Sequence, residues 1–395
     1  MKQQMCGRFL NLKAFHQLDL YCSHEERVIT LSELSRILPP SIAQLELSTD
    51  KYLEIPKEVQ KIYSTYRPTP LIRARKLEQA LASNCEIYLK DEGASPSGNH
   101  KTNSAYLIAY LCKKDGFKAI TTETTGNWGI ALSMAGKEFG IKVICFLDEE
   151  SHSERPDRKP AMEKYGAEVV LVKPDNFCTL KDPLTHSADA AIDYTRKTER
   201  VCYIFGSVYN YFIIPQSMVG IEIKNQLSEQ EKYPDIVVGT CGGGASLLGT
   251  ASVFLADTID NGRGTRIVSA EANTCPILSE GKYGLYSIDS NKYYPLLKTY
   301  GIESLKEGEY IGGIGSTVLA SSVAFCHSKG LIEVNQFSVE DAKKAAQLFY
   351  TTEGNRIALE TGFTMAAIIK QAQENDGKII VANISSGERD KQFYT

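Results

Sequence analysis

The residue types best suited to covalent chemistry in this 395-residue chain crowd into one stretch, Ser95 to Gly129. It reads S-P-S-G-N-H-K-T-N, then a helical run, then T-T-E-T-T-G-N-W-G. Lys101 opens the helical run, with His100 before it and Asn103 after. A lysine there has the wrong sign for the helix dipole, which favours anions at an N-terminus. An anionic ligand nearby would resolve that conflict. A lone lysine is ordinarily a solvated surface group, whereas one that is left unprotonated often enough can form a Schiff base. Glu123 ends an apolar strand, where a carboxyl is either a group facing water or a positioned general acid and base. Thr124, Thr125, Gly126 and Asn127 form the turn that follows. Thr and Asn are good helix caps, and the same hydroxyls, amide and backbone N–H groups can grip a substrate carboxylate. Trp128 is the only tryptophan. Its helical spacing gives it a core role, and its place after the turn groups it with the residues offered to substrate.

A second cluster, Gly242-Gly243-Gly244-Ala245-Ser246, follows a run of β-branched residues. It can be a tight strand-to-helix turn, or a cradle of glycine N–H groups at a helix start that holds a phosphate. Two nucleotide motifs fail on the letters. A P-loop needs Lys after its last Gly, and Gly249 is followed by Thr250. A dinucleotide fingerprint needs Gly three positions after Gly244, where Leu247 stands. A small phosphorylated cofactor is therefore favoured over a nucleotide.

These residues need strands and helices to hold them. Strands are expected at Glu86–Lys90, Ala119–Thr124, Lys142–Leu147, Glu168–Val172, Val201–Phe205, Ile236–Thr240, Arg266–Ala272 and Lys378–Ile384. Helices are expected at Leu31–Ile37, after Pro56, and at His100–Lys114, Gly126–Phe139, Lys159–Tyr165 and Gln216–Leu227. Further helices are expected at Val318–His327, Val339–Tyr350 and Ala358–Glu374. The stretch from Ala272 to about Gly315 reads as irregular. Alternating apolar strands and helices predict an α/β fold with parallel sheets covered on both faces. Ligands in such folds bind beyond the carboxyl ends of the strands. Glu123, the glycine loop and Ser386 all fall there.

The totals narrow the class. The length implies two domains, and 43% apolar with 23% charged residues is ordinary for a globular protein. A net charge of −4 gives no general pull toward nucleic acid or an anionic membrane. No apolar run reaches the length of a membrane span, and Asn11 and Lys13 interrupt any signal-peptide core. Ten cysteines without a C-x-x-C pair read as buried thiols in a reducing, cytoplasmic compartment. His16, His24, His152, His186 and His327 lack ligand spacing, so no metal is expected.

From Leu38-Pro39-Pro40 onward the chain resembles the tryptophan synthase beta chain family, specifically its alpha-independent class, among pyridoxal-phosphate enzymes of fold type II. The resemblance rests on Arg67-Pro68-Thr69-Pro70-Leu71, on Ser95 to Asn103 and on Thr122-Glu123-Thr124. It continues through Gly206-Ser207, Tyr233-Pro234-Asp235, Gly242-Gly243-Gly244, Gly330-Leu331-Ile332-Glu333, Thr352-Glu353-Gly354 and Ser386-Gly387. It implies two domains with twisted parallel sheets and the cofactor between them. One would comprise residues 1–66 and 100–205, with a mobile closing segment at about 114–205. The other would comprise residues 67–99 and 206–395. Lys101 would carry pyridoxal 5'-phosphate as an internal aldimine and move the Cα proton. His100 and the Gly242–Ser246 loop would hold the phosphate, and Asn103 would lie beside the ring hydroxyl. Ser386, or its neighbour Ser385, would face the pyridine nitrogen, and Glu353 would be a second acid near the cofactor. The implied reaction is β-replacement on L-serine or a related amino acid through an aminoacrylate. Glu123 would serve both the leaving group and the nucleophile, with indole as the default nucleophile. The implied assembly is a homodimer that needs no alpha subunit.

The chain also departs from that family. The turn after Glu123 is one residue short and resembles the carboxylate loops of cysteine synthases and threonine dehydratases. Ala245-Ser246 replaces Ser-Asn, and Gly315-Ser316-Thr317 replaces Arg-Tyr-His. Glu360-Thr361-Gly362-Phe363 replaces Glu-Ser-x-His. These changes touch substrate recognition and spare the lysine and the acid. They keep open a different amino acid or nucleophile, or β-elimination to a keto acid; a non-catalytic protein is the reading they least favour.

Overall fold

A computed structural model describes residues 7–394 apart from 17, 23–24, 174–182 and 310, so His24 and part of the expected closing segment lie outside the described residues. Runs such as Ile-Val-Val-Gly-Thr have no polar face to offer solvent, and they pair as buried parallel strands. The larger sheet has six strands, in the order Ile332–Phe337, Arg266–Ala272, Ile236–Thr240, Ile379–Ile384, Glu86–Asp91 and Leu71–Arg73. All are parallel except the last, which runs antiparallel to Glu86–Asp91. The smaller sheet is wholly parallel, in the order Glu168–Val172, Lys142–Asp148, Ala119–Glu123 and Val201–Tyr203.

Each sheet has its own apolar core, and the helix Asn210–Ser228 serves both. Ile213, Val219, Ile223 and Leu227 pack into the core of the larger sheet. Phe212, Ile214 and Met218 pack into the other. Pro215 makes Gln216 the expected start, but the helix begins at Asn210 and carries the proline inside. Burial between two cores holds the turn that local propensity would break, and Ser217 Oγ donates to the Ile214 carbonyl at 2.7 Å.

The strands expected from the sequence form within a residue or two of their predicted ends. The segment after Ala272 is the main departure. It holds two antiparallel strands, Lys282–Tyr286 and Leu296–Gly301, the second pairing with Leu20–Tyr21. Their tyrosines and glycines gave no clear alternation. The helix Pro183–Arg196 and the strand Ile332–Phe337 were also not expected. No described helix is long and apolar enough to cross a membrane.

Candidate active site

The carboxyl ends of the two sheets face one chamber, a cavity of about 90 Å³ that opens to solvent. Lys101 stands on its wall as the residue before the helix Thr102–Lys114, and it is backed by His100. Asn99 Oδ1 accepts from the Lys101 backbone N–H at 3.0 Å, which fixes the lysine at the head of the helix. Burial lowers the Lys101 amine to about 8, against an opposing pull from Glu360 and, less strongly, Glu123. A substantial fraction of the amine is therefore neutral near neutral pH, which is what a nucleophilic lysine needs. His100 is held below its ordinary range, at about 4, by burial and then by the Lys101 charge. Its Nδ1 lies 2.9 Å from Gln216 Oε1.

Glu123 faces the same chamber from the end of the smaller sheet. Tyr203 O–H donates to its Oε2 at 2.5 Å, and Gly206 N–H donates to Oε1 at 3.1 Å. Burial raises the carboxyl to about 7; the two hydrogen bonds and Lys101 act the other way. A carboxyl poised there can both give and take a proton at neutral pH.

The glycine loop completes the floor. The strand Ile236–Thr240 runs into Gly242–Gly244, and the helix Ala245–Asn261 opens on the chamber. Gly244 has φ +100°, and no side chain caps the first turn of that helix. A Cβ at Gly243 would come within 2.2 Å of Ser207 Oγ, so the backbone there approaches what it faces as closely as glycine allows. The result is a cluster of N–H groups and a positive dipole end, suited to a phosphate.

Thr124, Thr125, Asn127 and Trp128 line the chamber. Thr124 Oγ1 accepts from the N–H groups of Gly126 and Gly129, which shapes the turn. Thr125 Oγ1 donates to the Gly312 carbonyl at 3.2 Å. Asn127 Nδ2 donates to Glu360 Oε1 at 3.1 Å. Trp128 is buried; its Nε1 donates to Thr122 Oγ1 at 2.8 Å and its ring packs on Gly206 and Phe212. Gly126 has φ +135° and lies under Arg158 rather than on the chamber wall.

Three expected positions are corrected. Asn103 is buried away from the chamber: its Oδ1 accepts from Arg67 and its Nδ2 donates to Glu92 at 3.1 Å. Glu353 ends the helix Val339–Glu353 and does not line the chamber; its Oε1 accepts from the N–H of Leu77 at 2.8 Å in the first turn of the helix Arg75–Ala80. Ser386 lines an adjoining cavity, and Ser385, named as its alternative, is the serine on the chamber wall. Glu360, noted in the sequence only as a departure, is the second carboxylate of the site.

A family model described as "Pyridoxal-phosphate dependent enzyme" matches residues 62–386. The chain belongs to that family. The "Tryptophan synthase beta chain" of Thermosipho africanus is 36% identical over 89% of this chain and 87% of its own length. The "Tryptophan synthase beta chain 2" of Thermotoga maritima is 35% identical over 90% and 88%, and that of Methanosarcina acetivorans 33% over 93% and 87%. The protein is thus a pyridoxal-phosphate-dependent lyase of fold type II. The site suits the group on its own evidence: a lysine made partly neutral by burial faces an uncapped, glycine-built helix start across one chamber.

Proposed function

We propose that the chain catalyses β-replacement on L-serine or a related β-substituted amino acid, with indole as its default nucleophile. It would act as a homodimer without an alpha subunit. One observation carries this reading: Lys101 at about 8 and Glu123 at about 7 open into the same chamber. Bound pyridoxal phosphate supplies the electron sink that makes the Cα proton acidic. The amine of Lys101 takes that proton. The carboxyl of Glu123 gives its proton to the group leaving Cβ, then accepts the proton of the incoming nucleophile. The Gly242–Ser246 N–H groups and His100 hold the phosphate. Ser385 provides a neutral hydroxyl near the ring, and the Thr124–Asn127 turn meets the substrate carboxylate. Trp128 and Leu184 add apolar surface to the chamber wall.

A second reading, a different amino acid or nucleophile or β-elimination, draws on the short turn. Its Asn127 amide is engaged by Glu360. The test is the visible absorbance of the purified, cofactor-loaded chain, titrated with L-serine and then indole, with products identified by chromatography. Tryptophan formation supports the first reading. Pyruvate and ammonia in its place, or a visible band that L-serine does not move, transfers the assignment to the second.

A further inference from the structure

Glu123 does not hold its place alone. Its partner Tyr203 is fully enclosed, the last residue of the edge strand Val201–Tyr203. Its ring meets Tyr294 edge to face at 5.0 Å, and its carbonyl accepts from the Tyr294 O–H. Tyr294 belongs to the segment 287–295, which is organised by one buried carboxylate. Asp289 accepts from the N–H groups of Tyr293 and Tyr294 at 2.7 and 3.0 Å. The same segment reaches the helix Pro183–Arg196 through Ser290 N–H, which donates to Asp189 at 2.9 Å. Tyr209 O–H closes the group on the Pro295 carbonyl at 2.9 Å. A phenol fixed on so many sides cannot swing away from the carboxyl it touches.

We infer that Tyr203 is a positioning residue that holds the Glu123 carboxyl in its chamber-facing rotamer and sets the pH at which it ionises. The inference rests on the reading of Glu123 as the acid and base of the reaction. A phenol that donates stabilises the carboxylate over the acid, so the hydroxyl opposes the burial that pushes the carboxyl up. The other groups facing Glu123 are Lys101 from the helix start, Tyr209 and Tyr211 from the head of the Asn210 helix, Tyr294, and Cys145 from the neighbouring strand. Glu360 faces Lys101 from the opposite wall. Of these, only Tyr203 donates a side-chain hydrogen bond to the Glu123 carboxyl.

The experiment is an infrared pH titration of the cofactor-free chain, with Glu123→Gln used to assign the carboxyl C=O band. In Tyr203→Phe the protonated band should persist to a pH about one to two units higher than in the wild type. In the loaded enzyme, the pH profile of kcat should move upward by the same amount, with KM for the amino acid unchanged. An unmoved band overturns the inference and leaves Tyr203 a packing residue. If Tyr203→Phe does not fold, 3-fluorotyrosine incorporated into the wild type keeps every phenol and makes each a stronger donor. The band should then be lost at lower pH, and no change again overturns the inference. The infrared arm needs no substrate, so a moved band beside an unmoved rate profile supports the Tyr203–Glu123 coupling and rejects only the catalytic reading of Glu123.

Discussion

A lysine and a glutamate titrating within about one unit of each other are the chemical content of this chamber, and each can be removed separately. Lys101→Ala should abolish the visible absorbance of the bound cofactor and all turnover, as read by a spectrum and a product assay. In the wild type, the neutral amine gains ground as pH rises through about 8. Uptake of pyridoxal phosphate by the cofactor-free chain should therefore accelerate across that range. Glu123→Gln should keep the visible band and slow β-replacement by roughly 10²–10⁴-fold. It also has a stability signature. The folded carboxyl titrates at about 7 against an ordinary 4.5, so burial opposes the charged form increasingly as pH rises between those values. Glu123→Gln should accordingly raise the melting temperature at pH 8, by the equivalent of roughly 1–3 kcal/mol, and leave it unchanged at pH 4. These two residues were legible in the sequence because Lys101 stands at the head of a helical run and Glu123 at the end of an apolar strand. Tyr203 and Glu360 were not, because a tyrosine on a strand and a glutamate in a helix carry no local mark. Only the folded chain brings one against Glu123 and the other toward Lys101. Asn103, Ser386 and Glu353 mark the limit of transfer by motif, since a residue near the right letters can be turned into a neighbouring network.

The elements that hold the site depend on one buried ionic cluster. Arg67 pairs with Glu92 at 2.7 Å and with Glu222 at 2.9 Å, and Lys90 joins Glu222 at 2.7 Å. Asn103 closes the group from the first turn of the Lys101 helix. The cluster therefore ties that helix to the strand Glu86–Asp91 and to the helix shared by both cores. Arg67→Met would leave two buried carboxylates with one cation between them. It should cost about 3–5 kcal/mol in denaturant unfolding, with cofactor affinity falling as the helix loses its anchor. The sequence reads Arg67-Pro68-Thr69-Pro70 as an extended segment, and the backbone accounts for that much. It could not show that the arginine points inward, because that depends on carboxylates contributed from far along the chain. The other parallel strands were recoverable because their buried runs are largely apolar, whereas the half-buried Ile332–Phe337, with Glu333, Asn335 and Gln336, was not. The strands Lys282–Tyr286 and Leu296–Gly301 were not, because one is exposed to half-buried and the other mostly buried, and neither alternates with a clear period.

At the scale of the molecule, the smaller sheet and its helices meet the rest of the protein along the rim of the chamber. Arg155 pairs with Asp390 at 2.6 Å and donates to the Arg389 carbonyl at 2.8 Å. Asn127 reaches Glu360, and Thr125 reaches Gly312. We propose that these contacts favour a closed arrangement of the 114–205 segment that keeps water out. Asp390→Asn retains an acceptor for the Leu359 N–H but loses the ion pair. It should raise the share of substrate lost as keto acid and ammonia relative to the replacement product. The ratio of the two products under otherwise equal conditions reads this directly, and an unchanged ratio would show that the rim pair plays no part in closure.

The order of strands in the larger sheet has a consequence for how the protein is made. Ile379–Ile384 lies between Ile236–Thr240 and Glu86–Asp91. The segment that leads to Lys101 therefore has no parallel neighbour until residues 379–384, almost 300 positions later, have left the ribosome. Domains generally fold as units during synthesis, and the smaller sheet, built from Ala119 to Tyr203, can form early. Newly made chains should therefore form the smaller sheet while Glu86–Asp91 still lacks its parallel neighbour.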